Sequence, residues 1–214
     1  MSESYKKLIH ESIKTIINQF HRKPDNFFNE HEFHSYCYHV FYRKREFSKQ
    51  YKTANREKTN ILHPEYPTLQ RFNRKRIKVD PKGKRARYDM AILNPAFIEN
   101  NTFKKVQCRD LSLFRKQGDS KSKNLLAALE FKFIIQHGPQ YKREIKYDHL
   151  KLTSADEVEQ KFMLVFTNTL KREIDYFKHL GKDEQIKIIY VAVFKKNGKK
   201  ELRINQYPKL WLKI

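Results

Sequence analysis

Residues Leu125 to Ile135 read LLAALEFKFII, an apolar run closed by His137-Gly138-Pro139, with an acid and an amine, Glu130 and Lys132, set inside it. A run this short and this apolar, bounded by turn residues, predicts a buried strand. Side chains alternate across a strand, so Glu130, Lys132 and Ile134 share one face while Leu129, Phe131 and Phe133 share the other. Burying either charge without a partner costs several kcal/mol or more, so the fold must supply a counter-charge or a metal ion. An ion pair between Glu130 and Lys132 at a sheet end would meet that demand by itself.

A second apolar run changes the balance. Arg87-Tyr88-Asp89-Met90-Ala91-Ile92-Leu93 stops at Asn94-Pro95 and carries one acid, Asp89. It reads as a mostly buried strand ended by a turn. Two carboxylates converging from adjacent strands make a hard, oxygen-rich site suited to Mg²⁺ or Mn²⁺. Such an ion polarises a phosphoryl oxygen and lowers the pKa of its bound water. A lysine beside it positions that water or stabilises developing negative charge.

Asp89 followed by Glu130-Phe131-Lys132 resembles the PD-(D/E)XK nuclease superfamily. Tyr88 stands where the family name has proline, and forty residues lie between Asp89 and Glu130, so the resemblance implies an insertion, placed at about 96–124 and centred on the polar stretch Asn100 to Lys123. His63-Pro64-Glu65-Tyr66-Pro67 ahead of the Asp89 run is similar to a group of uncharacterised members of the same superfamily. The resemblance implies an α/β (α+β) fold of restriction-endonuclease-like type, a mixed central sheet flanked by helices with core order αβββαβ. It further implies that Asp89, Glu130 and the backbone carbonyl of Phe131 bind the metal, and that Lys132 orients the attacking water or helps to deprotonate it. A helix before the first strand often adds a glutamate in this superfamily.

That helix is expected from Asn29 to about Arg45, where Phe33, Tyr36, Cys37, Val40 and Phe41 recur at helical spacing. Asn29 is a good N-cap, and Glu32 three residues on completes a capping box, which gives Glu32 a structural task. At ~100° per residue Glu30 lies closer to the centre of the apolar stripe than Glu32. Glu30 is therefore the expected helix glutamate of the site and a fourth metal ligand. His31, His34 and His39 do not show the i, i+4 spacing of a zinc pair and read as polar-face or half-buried residues.

Around this core the pattern predicts a peripheral helix at about 4–20 and an irregular strand over Asn60 to Pro67 whose prolines mark an edge or bulge. After the Glu130 strand it predicts a helix over Arg143 to Leu152, a strand over Phe162 to Phe166 and a helix over Thr169 to Leu180 stopped by Gly181. A C-terminal hairpin turns at Asn197-Gly198. With no long Gly/Ser linker, residues 1–214 read as a single domain.

The chain carries 46 Lys+Arg against 24 Asp+Glu, a net charge of +22, which calls for an anionic partner. Arg71, Arg74, Lys75, Arg76, Lys78, Lys82, Lys84, Arg85 and Arg87 crowd into the segment leading to Asp89, with Asp80 alone among them. Pro81-Lys82-Gly83 reads as the tip of a basic hairpin that tracks a phosphate backbone. Lys151 on the later helix is a further candidate for phosphate contact or an extra catalytic amine, and Asp148 a candidate orienting acid. Cys37 and Cys108 form no C-x-x-C pair, no secretory pattern opens the chain, and no apolar run approaches ~18 residues. A cytoplasmic protein with no membrane partner is expected. The expected function is hydrolysis of DNA phosphodiesters with Mg²⁺ or Mn²⁺ as cofactor. Binding of nucleic acid without catalysis, and cleavage of RNA, are the alternatives. A homodimer is compatible with the sequence.

Overall fold

The computed structural model describes residues 3–108, 123–134, 139–168, 177, 180, 185–197, 199–208 and 212. Among these, seven strands form one mixed sheet in the order β4-β3-β5-β6-β7-β8-β9, with helices packed on it. The strands are β3 (Leu62–Asn73), β4 (Lys78–Val79), β5 (Lys84–Leu93), β6 (Leu125–Ile134), β7 (Val158–Thr167), β8 (Ile186–Lys196) and β9 (Lys199–Tyr207). Pairing is antiparallel from β4 through β6, parallel for β6-β7 and β7-β8, and antiparallel again for β8-β9. A small antiparallel ladder, β1 (Gln50–Lys52) with β2 (Lys58–Asn60), lies outside this sheet and was not expected from the sequence.

The first helix, α1 (Glu3–Arg22), repeats isoleucine at helical spacing and buries Ile9, Ile13, Ile16, Ile17 and Phe20. The second, α2 (Glu30–Tyr42), buries Phe33, Cys37, Val40 and Phe41, then gives way at Arg43 to a single turn, α3 (Arg45–Ser48). Its start follows the sequence: Asn29 Oδ1 accepts from Glu32 N at 2.9 Å, while the Glu32 carboxylate accepts from Phe28 N, one residue before the cap. The two helices cover the Phe131/Phe133 face of β6. The Phe33 ring meets Phe131 at 6.4 Å and Phe133 at 5.7 Å, and Phe20 meets Phe133 at 5.9 Å.

Expected and observed elements differ mainly in length. Pro139 does not merely close the β6 run: it opens α6 (Pro139–Thr153), four residues before the expected Arg143, at a position where proline's missing N–H is not needed. The strand expected over 60–67 continues to Asn73, and its irregularity is real. Glu65 takes φ 52 and the register against β5 slips between Pro67 and Arg71. The helix expected over Thr169 to Leu180 lies outside the described residues except for Phe177 and Leu180. The C-terminal hairpin is present, with Lys196 opposite Lys199 and Asn197 at φ 50. Among the described residues no helix is long and apolar enough to cross a membrane.

The forty residues between Asp89 and Glu130 leave and rejoin the sheet at one place. Asn94 N donates to Asn124 O at 2.9 Å, and its side-chain amide donates to Lys123 O at 3.0 Å. Both ends of the insertion are thereby pinned, so β5 and β6 pair as if joined by a short turn. Two short helices, α4 (Pro95–Glu99) and α5 (Phe103–Val106), begin the insertion; residues 109–122 lie outside the described residues.

Candidate active site at a fork between strands

The site is made where β5 and β6 part. Their register runs from Leu93↔Leu125 to Met90↔Leu129 and stops there, while β6 continues along β7 as far as Ile134. Asp89 and Glu130 are the first residues beyond the last pair. Phe131 then lacks a backbone partner on the β5 side, and side chains take over. Phe131 N donates to Asp89 Oδ2 at 2.7 Å, and Phe131 O lies 3.1 Å from His34 Nε2 of α2.

On the other face of β6 the alternation puts Glu130 and Lys132 toward α6. Tyr141, Ile145 and Leu152 of α6 are buried, and Asp148 falls on the same stripe at i+3 from Ile145 and i+7 from Tyr141. Asp148 and Lys151 are each only 5% exposed and Glu130 is wholly enclosed. Lys151 Nζ lies 2.8 Å from both Glu130 Oε2 and Asp148 Oδ1 and donates to Arg87 O at 3.0 Å. Lys132 Nζ lies 3.0 Å from Asp148 Oδ2 and donates to Glu30 Oε1 at 2.9 Å. His34 closes the circuit, with Nε2 at 3.6 Å from Glu30 Oε1 and 3.7 Å from Asp89 Oδ2. Four carboxylates thus share two lysines and one histidine.

The electrostatics follow from burial set against these partners. Burial pushes Glu130 well above the ordinary carboxylate range; Lys151 pulls it down, while Asp89 and Asp148 push it further up. Burial would lower Lys132, but Asp148, Glu30 and Asp89 outweigh it and hold the ammonium above its usual value. Lys151 is held up in the same way by Glu130 and Asp148. Burial would raise Glu30, yet the His34 hydrogen bond and Lys132 keep it below its ordinary value. His34 is raised: burial opposes its charge, and Glu30 and Asp89 together prevail.

The residue types present suit a hard cation at one spot. Glu130 Oε1 is buried without a hydrogen-bond partner and feels the charge of Asp89, whose carboxylate accepts from Phe131 N; with the Phe131 carbonyl these are all oxygen donors. The set is not preassembled: among the described residues no group of three or more His, Cys, Asp or Glu side chains stands together as a metal cage. Glu30 reaches the cluster through Lys132 and His34.

A groove of about 1020 Å³ opens over this cluster, lined on one wall by β3, β5 and their connection and on the other by α6. The expected hairpin is more elaborate than a three-residue tip. After β3 the chain turns through Arg74 to Ile77, runs back as β4 against one edge of β3, crosses at Asp80 to Gly83 and leaves as β5 along the other edge. Gly83 is required at that crossing, since a Cβ there would stand 2.3 Å from Phe72 O. Arg74, Lys75, Lys82, Lys84 and Arg87 line the groove, and Arg143 of α6, which sequence reasoning passed over, joins them.

Four of the expected phosphate contacts differ from the rest: Arg85 and Lys151 line the groove but are engaged by other groups, and Arg71 and Arg76 lie outside it. The Arg85 guanidinium donates to the carbonyls of Thr68 and Cys108, fastening the insertion to β3. Arg71, which donates to Gly83 O, and Arg76 do not line the groove, although both are exposed. Lys151 serves the buried circuit, because an ammonium between two buried carboxylates is held by them. His34 is the main omission of the sequence reading. Its signal was the i, i+4 spacing to Glu30, which places both on one helix face.

No protein-family model matches the chain, and comparison with curated proteins and with solved structures also gives no match.

Proposed function

We propose that the protein is a metal-dependent nuclease that hydrolyses DNA phosphodiesters, built on a restriction-endonuclease-like fold of the PD-(D/E)XK type. One observation carries this: Asp89 and the Glu130-Phe131-Lys132 run meet at a fork between neighbouring strands, with Asp89 and Lys132 lining a groove rimmed by arginine and lysine and Glu130 buried beneath it. Asp89, Glu130 and the Phe131 carbonyl would hold Mg²⁺ or Mn²⁺, with Glu30 nearby. A bound ion would supply Lewis acidity toward the phosphoryl oxygen and a more acidic water. Lys132 is held as an ammonium by Glu30 and Asp148, so it serves as a positive charge and donor toward developing phosphate charge rather than as a base. Asp148 and Lys151 position Lys132 and Glu130. The arginines and lysines of the groove bind the backbone on either side of the scissile bond.

The test is incubation of supercoiled, linear and single-stranded DNA, and of RNA, with and without Mg²⁺ or Mn²⁺. Metal-dependent breakage of DNA supports the assignment; no breakage under any metal condition overturns it. Binding without catalysis is favoured by a separate observation, that Lys132 and Lys151 already serve as counter-charges to Glu30, Glu130 and Asp148. It predicts salt-sensitive binding that ignores metal and survives changes to the carboxylates. RNA cleavage would show in the same incubation, because the carboxylates do not select the sugar.

A further inference from the structure

The sheet carries a second basic tip, away from the groove. The β8-β9 hairpin closes with Lys196 opposite Lys199 and Lys195 opposite Lys200, and all four are exposed. Like charges directly opposite each other on paired strands oppose folding. Among the described residues no carboxylate pairs with Lys196 or Lys199. The folded chain alone gains nothing from this arrangement, whereas an anion laid against it is held from both strands.

The register assigns each lysine pair to a face. Lys132 of β6 is level with Val165 of β7, and Val165 with Tyr190 of β8. Tyr190, and Lys196 by alternation, therefore project from the face that carries Glu130 and Lys132, and Lys199 shares that face as the partner of Lys196. Lys195 and Lys200 project from the other face, where Lys200 Nζ donates to Arg22 O at the end of α1 at 3.2 Å. Back along β9 the site-side face carries exposed Glu201 and then exposed Arg203, so it stays net positive.

Tip and groove open at the same end of the sheet. Because β6, β7 and β8 run parallel and β5 runs against them, the start of β5, the first turn of α6 and the β8-β9 tip all lie at that end. The groove reaches it, since Lys82 and Lys84 at the start of β5 and Gln140 in the first turn of α6 are among its lining residues. Lys196 follows Tyr190 by six residues, two strands away from β6. That sets it ~20 Å along the strands and ~10 Å across them from Lys132, roughly the length of six base pairs.

We propose that Lys196 and Lys199 form a second phosphate contact, gripping the backbone of DNA that leaves the groove across this end of the sheet. This rests on the reading that the groove binds nucleic acid, and it lengthens the bound stretch by the span between site and tip.

The experiment measures, by fluorescence anisotropy over a range of salt, binding of Asp89→Asn protein without added metal to a labelled DNA duplex several times longer than that span. Lys196→Gln/Lys199→Gln in this background is expected to lower the slope of log affinity against log salt by about 1.8, two phosphate contacts, and to weaken binding at about 0.1 M salt tenfold or more. Its melting temperature is expected to stay level or rise, because a like-charged pair is removed. Lys195→Gln, on the opposite face, is expected to leave slope and affinity unchanged. An unchanged slope in the double variant, or a loss per lysine as large from Lys195→Gln, overturns the proposal. So does self-association of the double variant with DNA affinity intact, which would make the lysines guards of an edge strand. Alanine at Arg74 or Lys84 is read in the same assay. Loss there with none at the tip sinks the tip alone, whereas wild-type protein that binds no DNA sinks the nucleic-acid reading and the tip together.

Discussion

Lys151→Met is the sharpest probe of the buried circuit. Methionine keeps the length of the side chain and removes the charge that stands 2.8 Å from both Glu130 and Asp148. Asp148 keeps Lys132 at 3.0 Å, but Glu130, wholly enclosed, is left facing Asp89 and Asp148 with no cation in contact. Breaking a buried pair from one side costs about 3–5 kcal/mol when the remaining charge stays uncompensated. A carboxyl can escape part of that by taking a proton. Burial, Asp89 and Asp148 already raise Glu130, and Lys151 is the partner that pulls it down, so its loss raises the folded-state value further. Between the two folded-state values the variant's native state binds a proton that wild type does not. The variant therefore loses stability relative to wild type as pH rises, by about 1.4 kcal/mol per unit. The expected deficit is about 1–2 kcal/mol at pH 5, from the lost contacts to Asp148 and the Arg87 carbonyl, and about 3–5 kcal/mol at pH 8. Urea unfolding at the two pH values reads it directly. In Glu130→Gln/Lys151→Met the deficit should shrink by about 2 kcal/mol or more relative to the sum of the single changes. A deficit below about 1 kcal/mol at both pH values, or a larger one at pH 5, refutes the pairing.

Gly83→Ala should cost about 1–3 kcal/mol in thermal or urea unfolding, because the new Cβ collides with the Phe72 carbonyl at the strand crossing; a neutral change would show that the crossing is drawn wrongly. Glu157, raised by burial and accepting from Tyr88 Oη at 2.9 Å, binds a proton more readily in the folded chain than in the unfolded one. Its contribution is therefore present at low pH and lost as pH climbs from about 4.5 through the raised value, and Glu157→Gln should flatten the pH dependence of stability by that amount. DNA affinity should fall linearly with the logarithm of salt, and alanine at Arg74, Lys82, Lys84 or Arg87 should each reduce the slope by about 0.7–0.9, whereas Arg76→Ala, outside the groove, should leave it unchanged.

What could be read from the sequence was whatever depends on short-range periodicity. Strand alternation put Glu130 and Lys132 on one face of β6, the Asn29–Glu32 box fixed where α2 begins, and helical angle turned Glu30 inward. Contacts made across the fold were not legible. Lys132 finds Glu30 over 102 positions and His34 finds the Phe131 carbonyl over 97, and no local pattern encodes either. Asp148 was half legible, since it sits on the stripe of Tyr141, Ile145 and Leu152, but an acid on an apolar stripe reads as solvated until its lysine partners are known. The long gap before Glu130 looked like an obstacle because spacing ignores closure; Asn94 and Asn124 show that the insertion leaves and returns at one point. Charge counting likewise could not show that Arg85, which lines the groove as Arg87 does, spends its guanidinium on the carbonyls of Thr68 and Cys108.

Strand breakage by wild-type protein, Asp89→Asn and Glu130→Gln, compared on the same DNA with and without Mg²⁺, decides the matter. Wild type is expected to cleave only with the metal. Both variants, folded by circular dichroism, are expected to lose cleavage by about a hundredfold or more while holding DNA within about twofold of wild-type affinity. Cleavage that persists in both variants, or that proceeds undiminished in the presence of a chelator, would contradict a metal-dependent nuclease centred on these two carboxylates.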